Sequence, residues 1–286
     1  MFKNKIVSFI GAGAMGSAMI AGLIREEVTD PEAIIASDPL QEHLDELKIK
    51  YHIKTTTDNV AAARNADVVV LSVKPQRLEH VFKDLHGKLD PSCLVISIVA
   101  GMPIDFLAEG LNHPCIVRTM PNTPAQISEG ITVWTCSSSV TEKQQAMTRR
   151  ILQAFGEEVF VDEESSMDAA TALSGTGPAY VFLFMEAMVD AGVHLGFSRK
   201  IAEKLVAQTV RGSVDFYIHS TKKGNDIHLA HMRNQVTSPG GTSAAALYYL
   251  EKAGFRTAIS RAIWAAYERS TELGQGKKTR PPDNSK

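Results

Sequence analysis

The feature that most constrains the fold is a glycine motif between an apolar segment and a helical segment near the N-terminus. The apolar run Lys5 to Ile10 leads directly into GAGAMG at residues 11–16, and the helical sequence SAMIAGLI follows. In such a unit Gly11 permits a tight turn, Gly13 lets the backbone approach a pyrophosphate, and Gly16 lets helix and strand pack closely. The motif and its context therefore predict a dinucleotide-binding fold.

An acidic residue follows the second predicted strand, where the ribose of a dinucleotide is usually held. Asp38 stands at the end of the run Ala33 to Ser37. A carboxylate there favours NAD, because it accepts hydrogen bonds from the ribose, whereas a 2′-phosphate favours arginine or neutral hydroxyls. Ser37 suits either cofactor, residues 39–63 contain no arginine, and Lys48 or Lys50 could reach the site. The choice between NADPH and NADH therefore stays open.

Hydrophobic patterning divides the chain into two parts. Up to about residue 162 short β-branched runs alternate with helical stretches, which is typical of parallel strands covered by helices on both faces. Beyond it the apolar residues take helical spacing. We predict an α/β fold with an N-terminal doubly wound Rossmann domain (1–162), a C-terminal all-helical dimerisation domain (163–274) and a disordered polar tail (275–286). The predicted strands are Lys5 to Ile10, Ala33 to Ser37, Asp67 to Val73, Cys93 to Val99, Cys115 to Met120, Ile131 to Cys136 and Glu157 to Val161.

The second part contains a helix that is apolar nearly all round. Pro178 fits the first turn of this helix, which should end near Gly196. Residues 181–188 should be buried on every side, and a bundle of about 110 residues has little interior to bury them. We therefore predict that two copies of the chain associate through these helices.

Composition excludes several classes of partner. The 286 residues include 30 basic and 32 acidic side chains, a net charge near −2, so no overall field attracts nucleic acid or an anionic membrane. Three widely spaced cysteines without a CxxC pair indicate thiols in a reducing compartment, and we predict a cytoplasmic protein. His228 and His231 beside Asp226 lack a third ligand at a convincing spacing, so no metal site is predicted.

Five motifs together resemble the Δ1-pyrroline-5-carboxylate reductase family, which catalyses the last step of proline biosynthesis. The resemblance extends to about Leu273 and implies that a hydride passes from NADPH or NADH to the C=N bond of L-1-pyrroline-5-carboxylate, giving L-proline. It also implies a homodimer, which in the family assembles further into a ring. The motifs are GAGAMG at 11–16, SVKPQ at 72–76, MPNTPA at 120–125 with EG at 129–130, ALSGTGPAY at 172–180 and QVTSPGGTS at 235–243.

The resemblance also assigns cofactor contacts. Without it, Lys74 and Pro75 would be taken as an ordinary turn, and the stiff segment 120–124 as either a binding loop or a rigid connector. Ala100 and Asn122 would lie near the nicotinamide. The implied contacts are Gly11, Ala12, Gly13, Ala14, Met15, Gly16, Ser37, Asn59, Ser72, Val73, Lys74, Pro75, Ala100 and Asn122, to which the ribose argument adds Asp38.

A second glycine-rich loop precedes the helical sequence SAAALYYLEKAG. Free amides and the positive end of the helix dipole suit a carboxylate there, although the same loop could be a simple cap. The resemblance implies that it binds the carboxylate of a cyclic imine. Ser243, where the family usually has threonine, is the catalytic candidate and either donates a proton to the imine nitrogen or only positions the substrate. The implied substrate contacts are Gln235, Ser238, Gly240, Gly241, Thr242 and Thr176.

Two alternative functions stay open. A β-hydroxyacid dehydrogenase shares the GxGxMG opening, but its GxGxxxK lysine would fall on Val181 here, counting from Gly175 and Gly177. A non-catalytic dinucleotide-binding paralogue would keep the glycine loop and not need Ser243. The sequence does not distinguish a five-membered from a six-membered imine, which differ by only about 1–3 kcal/mol of binding.

Overall fold

The computed structural model describes residues 5–221 and 227–275, and within them the first part of the chain is built on one eight-stranded sheet. The strand order is β3-β2-β1-β4-β5-β6-β7-β8, parallel throughout except for the antiparallel pair β6 and β7. The strands are β1 Val7–Ile10, β2 Ile34–Ser37, β3 Lys54–Thr56, β4 Val68–Leu71, β5 Leu94–Ser97, β6 Ile116–Met120, β7 Gly130–Cys136 and β8 Gly156–Phe160.

Helices cover both faces of this sheet and then continue alone to the end of the described chain. Ser198 accepts a hydrogen bond from the amide of Ile201 at the start of one of them. The helices are α1 Ala14–Arg25, α2 Gln41–Tyr51, α3 Asn59–Ala63, α4 Leu78–Leu85, α5 Ile104–Leu111, α6 Glu142–Leu152, α7 Ser166–Ala170, α8 Gly177–His194, α9 Arg199–Thr221, α10 Leu229–Gln235, α11 Thr242–Lys252 and α12 Phe255–Gly274.

The core consists of two layers, one on each face of the sheet. Helices α1, α2 and α6 pack on one face, and α3, α4 and α5 pack on the other. The central strands VVVL and LVIS are buried along their whole length because both faces are covered. The doubly wound Rossmann fold is thus confirmed, with its switch point at β1, which pairs with β2 on one side and β4 on the other.

The sequence and the structure differ at two strands. All seven predicted strands are present, but β3 was missed because KTT is short, half-exposed and lies at the sheet edge. The return of the chain from β6 to β7 is antiparallel, since only a short connection, Thr123–Ile127 in 3-10 conformation, lies between them.

Internal contacts divide the chain into two compact units. Of the described residues, the first unit contains those up to Pro178 together with those from Ala265 onward, and the second contains those of Ala179–Trp264. The last turns of α12 therefore belong to the first unit, where the β-carbon of Leu273 lies 3.0 Å from the position that a β-carbon on Gly101 would take. The predicted tail falls almost entirely outside the described residues.

A buried ionic cluster in the first unit was not expected. Arg118 on β6, 6% exposed at its side chain, contacts Glu164 at 2.9 Å and Asp168 at 3.2 Å. Glu164 also accepts the amide of Ile104 at the start of α5, and Asp168 accepts the hydroxyl of Ser270 on α12 at 2.7 Å. The cluster thus joins β6 to the start of α5, which precedes it in the chain, and to two later segments, residues 164–168 and α12.

The prediction that residues 181–188 are buried on every side is not met within a single chain. Phe182 and Leu183 are 60% and 67% exposed, and Val181 and Phe184 are also exposed. The stretch Ser166–His194 is also long and apolar enough to cross a membrane by length and composition alone, a test that other apolar helices pass as well. The second unit thus presents a wide apolar surface.

Candidate active site

The glycine motif forms a tight connection between β1 and α1. Gly11 has φ +98°, a conformation that favours glycine, and a β-carbon there would lie 2.6 Å from the carbonyl oxygen of Ser72. A β-carbon on Gly16 would lie 2.5 Å from the carbonyl oxygen of Gly11. Two of the three glycines are therefore required by the fold itself.

Gly13 is different, because the space beside it is open. A β-carbon there would meet no atom within 4 Å, and Gly13 is the N-cap of α1 without any side-chain cap. The first intrahelical bond runs from the amide of Ser17 to the Gly13 carbonyl, so the amides of residues 14–16 have no acceptor within the helix. This exposed helix start fits a pyrophosphate, and the residues present are those that such a group requires.

Asp38 ties the end of β2 to the glycine loop. Its carboxylate accepts the amide of Ala12 at 2.8 Å and that of Leu40 at 3.0 Å, and the residue is 8% exposed. His43 Nδ1 lies 4.0 Å away. The carboxylate lies where a ribose contact was predicted and also holds the loop in place.

Ser37 and Asn59 form a hydrogen-bonded chain with a third residue. The hydroxyl of Ser37 donates to Asn59 Oδ1 at 2.8 Å, and Asn59 Nδ2 donates to Asp84 Oδ2 at 2.8 Å. Ser37 is buried, Asn59 and Asp84 are half-buried, and the three lie on β2, α3 and α4. Asp84 was not singled out in the sequence, because nothing local distinguishes it from other acidic residues on helices.

The turn after β4 supports the glycine loop. Ser72 donates its hydroxyl to the carbonyl of Gly11 at 2.6 Å, and Val73 packs against the same glycine. Lys74 is exposed, and Pro75 begins a short 3-10 turn. The structure therefore brings the turn 72–75 and the loop 11–16 together, as their predicted shared role requires.

The segment around Asn122 packs against the segment around Gly175. Asn122 Oδ1 accepts the amide of Ile131 and so holds the loop to β7. A β-carbon on Gly175 would lie 2.5 Å from Cε of Met120. Residues 171–175 form a π-helical turn, which Thr176 closes by donating its hydroxyl to the Thr171 carbonyl at 2.9 Å. Such turns are frequent at functional sites.

In the second unit the predicted substrate loop forms an open start for α11. Gly241 is the N-cap and carries no side-chain cap, while Gly240 has φ +70°. The first intrahelical bond runs from Ala245 to Gly241, so the amides of Thr242 and Ser243 have no acceptor within the helix. Gln235 ends α10, and Ser238 lies next to Gly241, whose amide donates to the Ser238 carbonyl.

One of the two histidines considered as metal ligands, His228, has a local structural role. His228 is the N-cap of α10, and its Nδ1 accepts the amide of Ala230 at 3.1 Å. Asp226 lies outside the described residues. Across the ranges 5–221 and 227–275, no three His, Cys, Asp or Glu side chains come together in a group that could hold a metal ion.

Comparison with known proteins adds two family matches and several close relatives. Residues 164–273 match the family described as pyrroline-5-carboxylate reductase dimerisation, and residues 6–101 match the NADP oxidoreductase, coenzyme F420-dependent family. The pyrroline-5-carboxylate reductase of Synechocystis sp. is 42% identical over 269 residues, which cover 94% of this chain and 98% of that protein. The corresponding protein of Pseudomonas aeruginosa is 39% identical over 270 residues, covering 94% and 97%.

A solved structure agrees over the same length. The crystal structure of Plasmodium falciparum pyrroline carboxylate reductase with NADP bound superposes with a TM-score of 0.85 at 34% identity. The match covers 95% of this chain and 98% of that one.

Proposed function

The chain belongs to the pyrroline-5-carboxylate reductase family, and on that premise we propose that it reduces the C=N bond of L-1-pyrroline-5-carboxylate to give L-proline, the last step of proline biosynthesis. The observation that carries the proposal is the pair of uncapped helix starts, at Gly13 on α1 and at Gly241 on α11. One suits the pyrophosphate of NADPH or NADH, and the other suits the carboxylate of a small acid. A reductase of a carboxylate-bearing imine needs both.

The first unit holds the cofactor in this proposal. The amides at the start of α1 bind the pyrophosphate, while Asp38 and Asn59 lie at the ribose. By role, we assign residues 1–162 to dinucleotide binding and 163–274 to substrate binding and dimerisation, a boundary that falls within the first compact unit. The proposed cofactor contacts are Gly11, Ala12, Gly13, Ala14, Met15, Gly16, Ser37, Asp38, Asn59, Ser72, Val73, Lys74, Pro75, Ala100 and Asn122.

The second unit binds the substrate through backbone and hydroxyl groups. When bound, the reduced nicotinamide supplies the hydride that C5 of the imine receives. The amides at the start of α11 hold the carboxylate. Ser243 either relays a proton from a bound water to an unprotonated imine nitrogen, or accepts a hydrogen bond from the N–H of a protonated imine and so orients the ring. A protonated imine is already electrophilic, so orientation contributes more than a strong acid. The other proposed contacts are Gln235, Ser238, Gly240, Gly241 and Thr242 in the second unit, together with Thr176, which belongs to the first unit.

The direct test is the loss of nicotinamide absorbance with pyrroline-5-carboxylate, run in parallel with NADPH and NADH. We expect turnover with at least one cofactor and release of proline. The same assay with its six-membered homologue measures ring-size preference. A 3-hydroxy acid serves as the control substrate, and activity with it alone would contradict the proposal in favour of a β-hydroxyacid dehydrogenase.

Replacing Ser243 with alanine should lower kcat/KM for the imine about 10- to 100-fold, since one hydrogen bond to a charged group is lost. Ser243→Thr keeps the hydroxyl and should retain most of the activity. Ser213→Ala, which removes a hydroxyl that donates within α9, is the matched control for folding. Unchanged kinetics in Ser243→Ala would exclude a role for this hydroxyl in the reaction.

We further propose that two chains associate through the apolar surface of the second unit, and that dimers assemble into a ring as the resemblance implies. The exposed side chains of α8 support this proposal, because a monomer would leave them in water. Light scattering of the native chain should give at least twice 31.1 kDa. Phe182→Glu, which places a charge on that surface, should shift the mass toward a monomer, and an unchanged mass would argue that α8 lies outside the interface.

A cytoplasmic location fits this chemistry. All three cysteines are free, and burial raises the pKa of the Cys93 thiol to about 12, so this group stays protonated and unreactive at neutral pH. We propose no nucleic-acid, membrane or metal partner. Fractionation of cells that produce the chain at native level tests the location.

A further inference from the structure

The hydrogen-bonded chain Ser37–Asn59–Asp84 has a direction that its chemistry sets. An ionised carboxylate only accepts hydrogen bonds, so Asn59 must turn its NH₂ group toward Asp84 and its carbonyl oxygen toward Ser37. The hydroxyl of Ser37 then donates to that oxygen. Asp84 therefore fixes the orientation of the Asn59 amide.

This direction removes hydrogen-bond donors from the predicted ribose site. Ser37 donates its only hydroxyl hydrogen to Asn59, and one of the two Asn59 N–H groups donates to Asp84. Of these two side chains, only one N–H of Asn59 remains for a ligand. A 2′-phosphate carries only acceptors and needs several donors or a cation, whereas a ribose hydroxyl can both donate and accept.

The charge of the site also disfavours a 2′-phosphate. Asp84 is joined to Asn59 by one hydrogen bond, and Asp38 follows Ser37 in the chain, so two carboxylates border the ribose contacts. Over the part of the chain that the structure describes, no lysine or arginine forms a salt bridge with either of them. His43 Nδ1 lies 4.0 Å from Asp38, so the carboxylate that lacks a basic partner among the described residues is that of Asp84. A phosphate bound to Asn59 would meet the negative charge of Asp84.

We propose that Asp84 is a specificity-determining residue that weakens binding of the 2′-phosphorylated cofactor relative to NADH. The inference rests on the proposed function, because that function places the adenosine ribose beside Asn59. Asp84 acts through Asn59 and through its charge. It is a positioning residue and takes no part in hydride transfer.

The test is Asp84→Asn, which keeps the size of the side chain while removing its charge and its fixed role as acceptor. The dissociation constants of NADPH and NADH are measured by quenching of tryptophan fluorescence, and kcat/KM is measured with each cofactor. The preference for NADPH over NADH should rise about five- to tenfold, chiefly through a lower KM for NADPH, while kcat at saturation changes little.

The matched control is Glu32→Gln. Glu32 is an exposed acid just before β2, at the opposite end of the strand that carries Ser37, and it loses the same charge. The preference of Glu32→Gln for NADPH over NADH should stay at the wild-type value. If Asp84→Asn lowers the melting temperature strongly, Asp84→Ser serves as the second variant.

An unchanged NADPH to NADH ratio in the folded Asp84 variant, or an equal rise in Glu32→Gln, would overturn the inference. Failure of the proposed function gives a different result. In that case the wild type would not reduce pyrroline-5-carboxylate with either cofactor, while the ratio of dissociation constants would still report on Asp84.

Discussion

Replacing Gly13 with valine should abolish cofactor binding and leave the fold intact. The backbone at Gly13 is extended, with φ −65° and ψ −171°, and a β-carbon would meet no protein atom within 4 Å, so valine fits the folded chain. The cost in stability should not exceed about 1 kcal/mol, the difference between glycine and a branched residue at an N-cap. The side chain would fill the space through which a pyrophosphate reaches the amides of α1, and affinity for NADPH and NADH should fall at least about a hundredfold, since two or more charge-assisted hydrogen bonds are lost.

Two calorimetric experiments measure cofactor binding. Titration gives the dissociation constants, and thermal scans give the rise in melting temperature that saturating NADPH produces. The wild type should gain several degrees with the cofactor, and Gly13→Val should gain none. Gly16→Val is the comparison within the same motif, because its β-carbon would meet the Gly11 carbonyl at 2.5 Å and should lower stability even without cofactor. If Gly13→Val binds either cofactor with native affinity, the dinucleotide does not bind at this loop.

Replacing Arg118 with methionine should destabilise the first unit by about 3 kcal/mol, as for breaking a buried ion pair. The change leaves Glu164 and Asp168 without their cation in a site where Arg118 is 6% exposed. Breaking a buried ion pair usually costs about 3–5 kcal/mol. We expect the low end of that range because the Glu164 side chain keeps 34% of its surface in water, where solvent screens its charge. The midpoint of urea unfolding, followed by circular dichroism, measures the loss.

An exposed ion pair provides the control for Arg118. Arg269 contacts Glu272 at 2.8 Å within the last turns of α12, and both side chains are more than a third exposed. Arg269→Met should therefore cost less than about 1 kcal/mol. The triple variant Arg118→Met, Glu164→Gln, Asp168→Asn should recover part of the stability lost in Arg118→Met. If it recovers nothing, uncompensated charge is not the cause.

The sequence predicts the parts of this fold that local patterns encode. Apolar runs located seven of the eight strands, and glycine spacing located the turn at residues 11–16. The helix with Pro178 in its first turn and the helix after the loop at Gly241 were also predicted correctly, because a helix start depends on the residues next to it. The family match and the NADP-bound relative support the cofactor class.

Interactions between distant residues could not be predicted in this way. Asn59 and Asp84 are separated by 25 positions, and Asp168 and Ser270 by 102. No periodicity relates such pairs, since their meeting depends on which strands become neighbours. The sequence predicts Asp38 as a ribose contact but does not predict that it accepts the amide of Ala12, because these two residues are also far apart in the chain.

The contacts made by the last turns of α12 have a consequence for biosynthesis. Ser270 donates to Asp168, and a β-carbon on Gly274 would lie 2.7 Å from the carbonyl oxygen of Gly101, so the last turns of α12 complete a unit begun at the first strand. These contacts cannot form until residues 270–274 have left the ribosome, which is after the whole second unit has been synthesised. Folding of the first unit must therefore finish after the second unit has been synthesised, and a premature stop before codon 270 would leave Asp168 without its hydroxyl donor even though every strand had been synthesised.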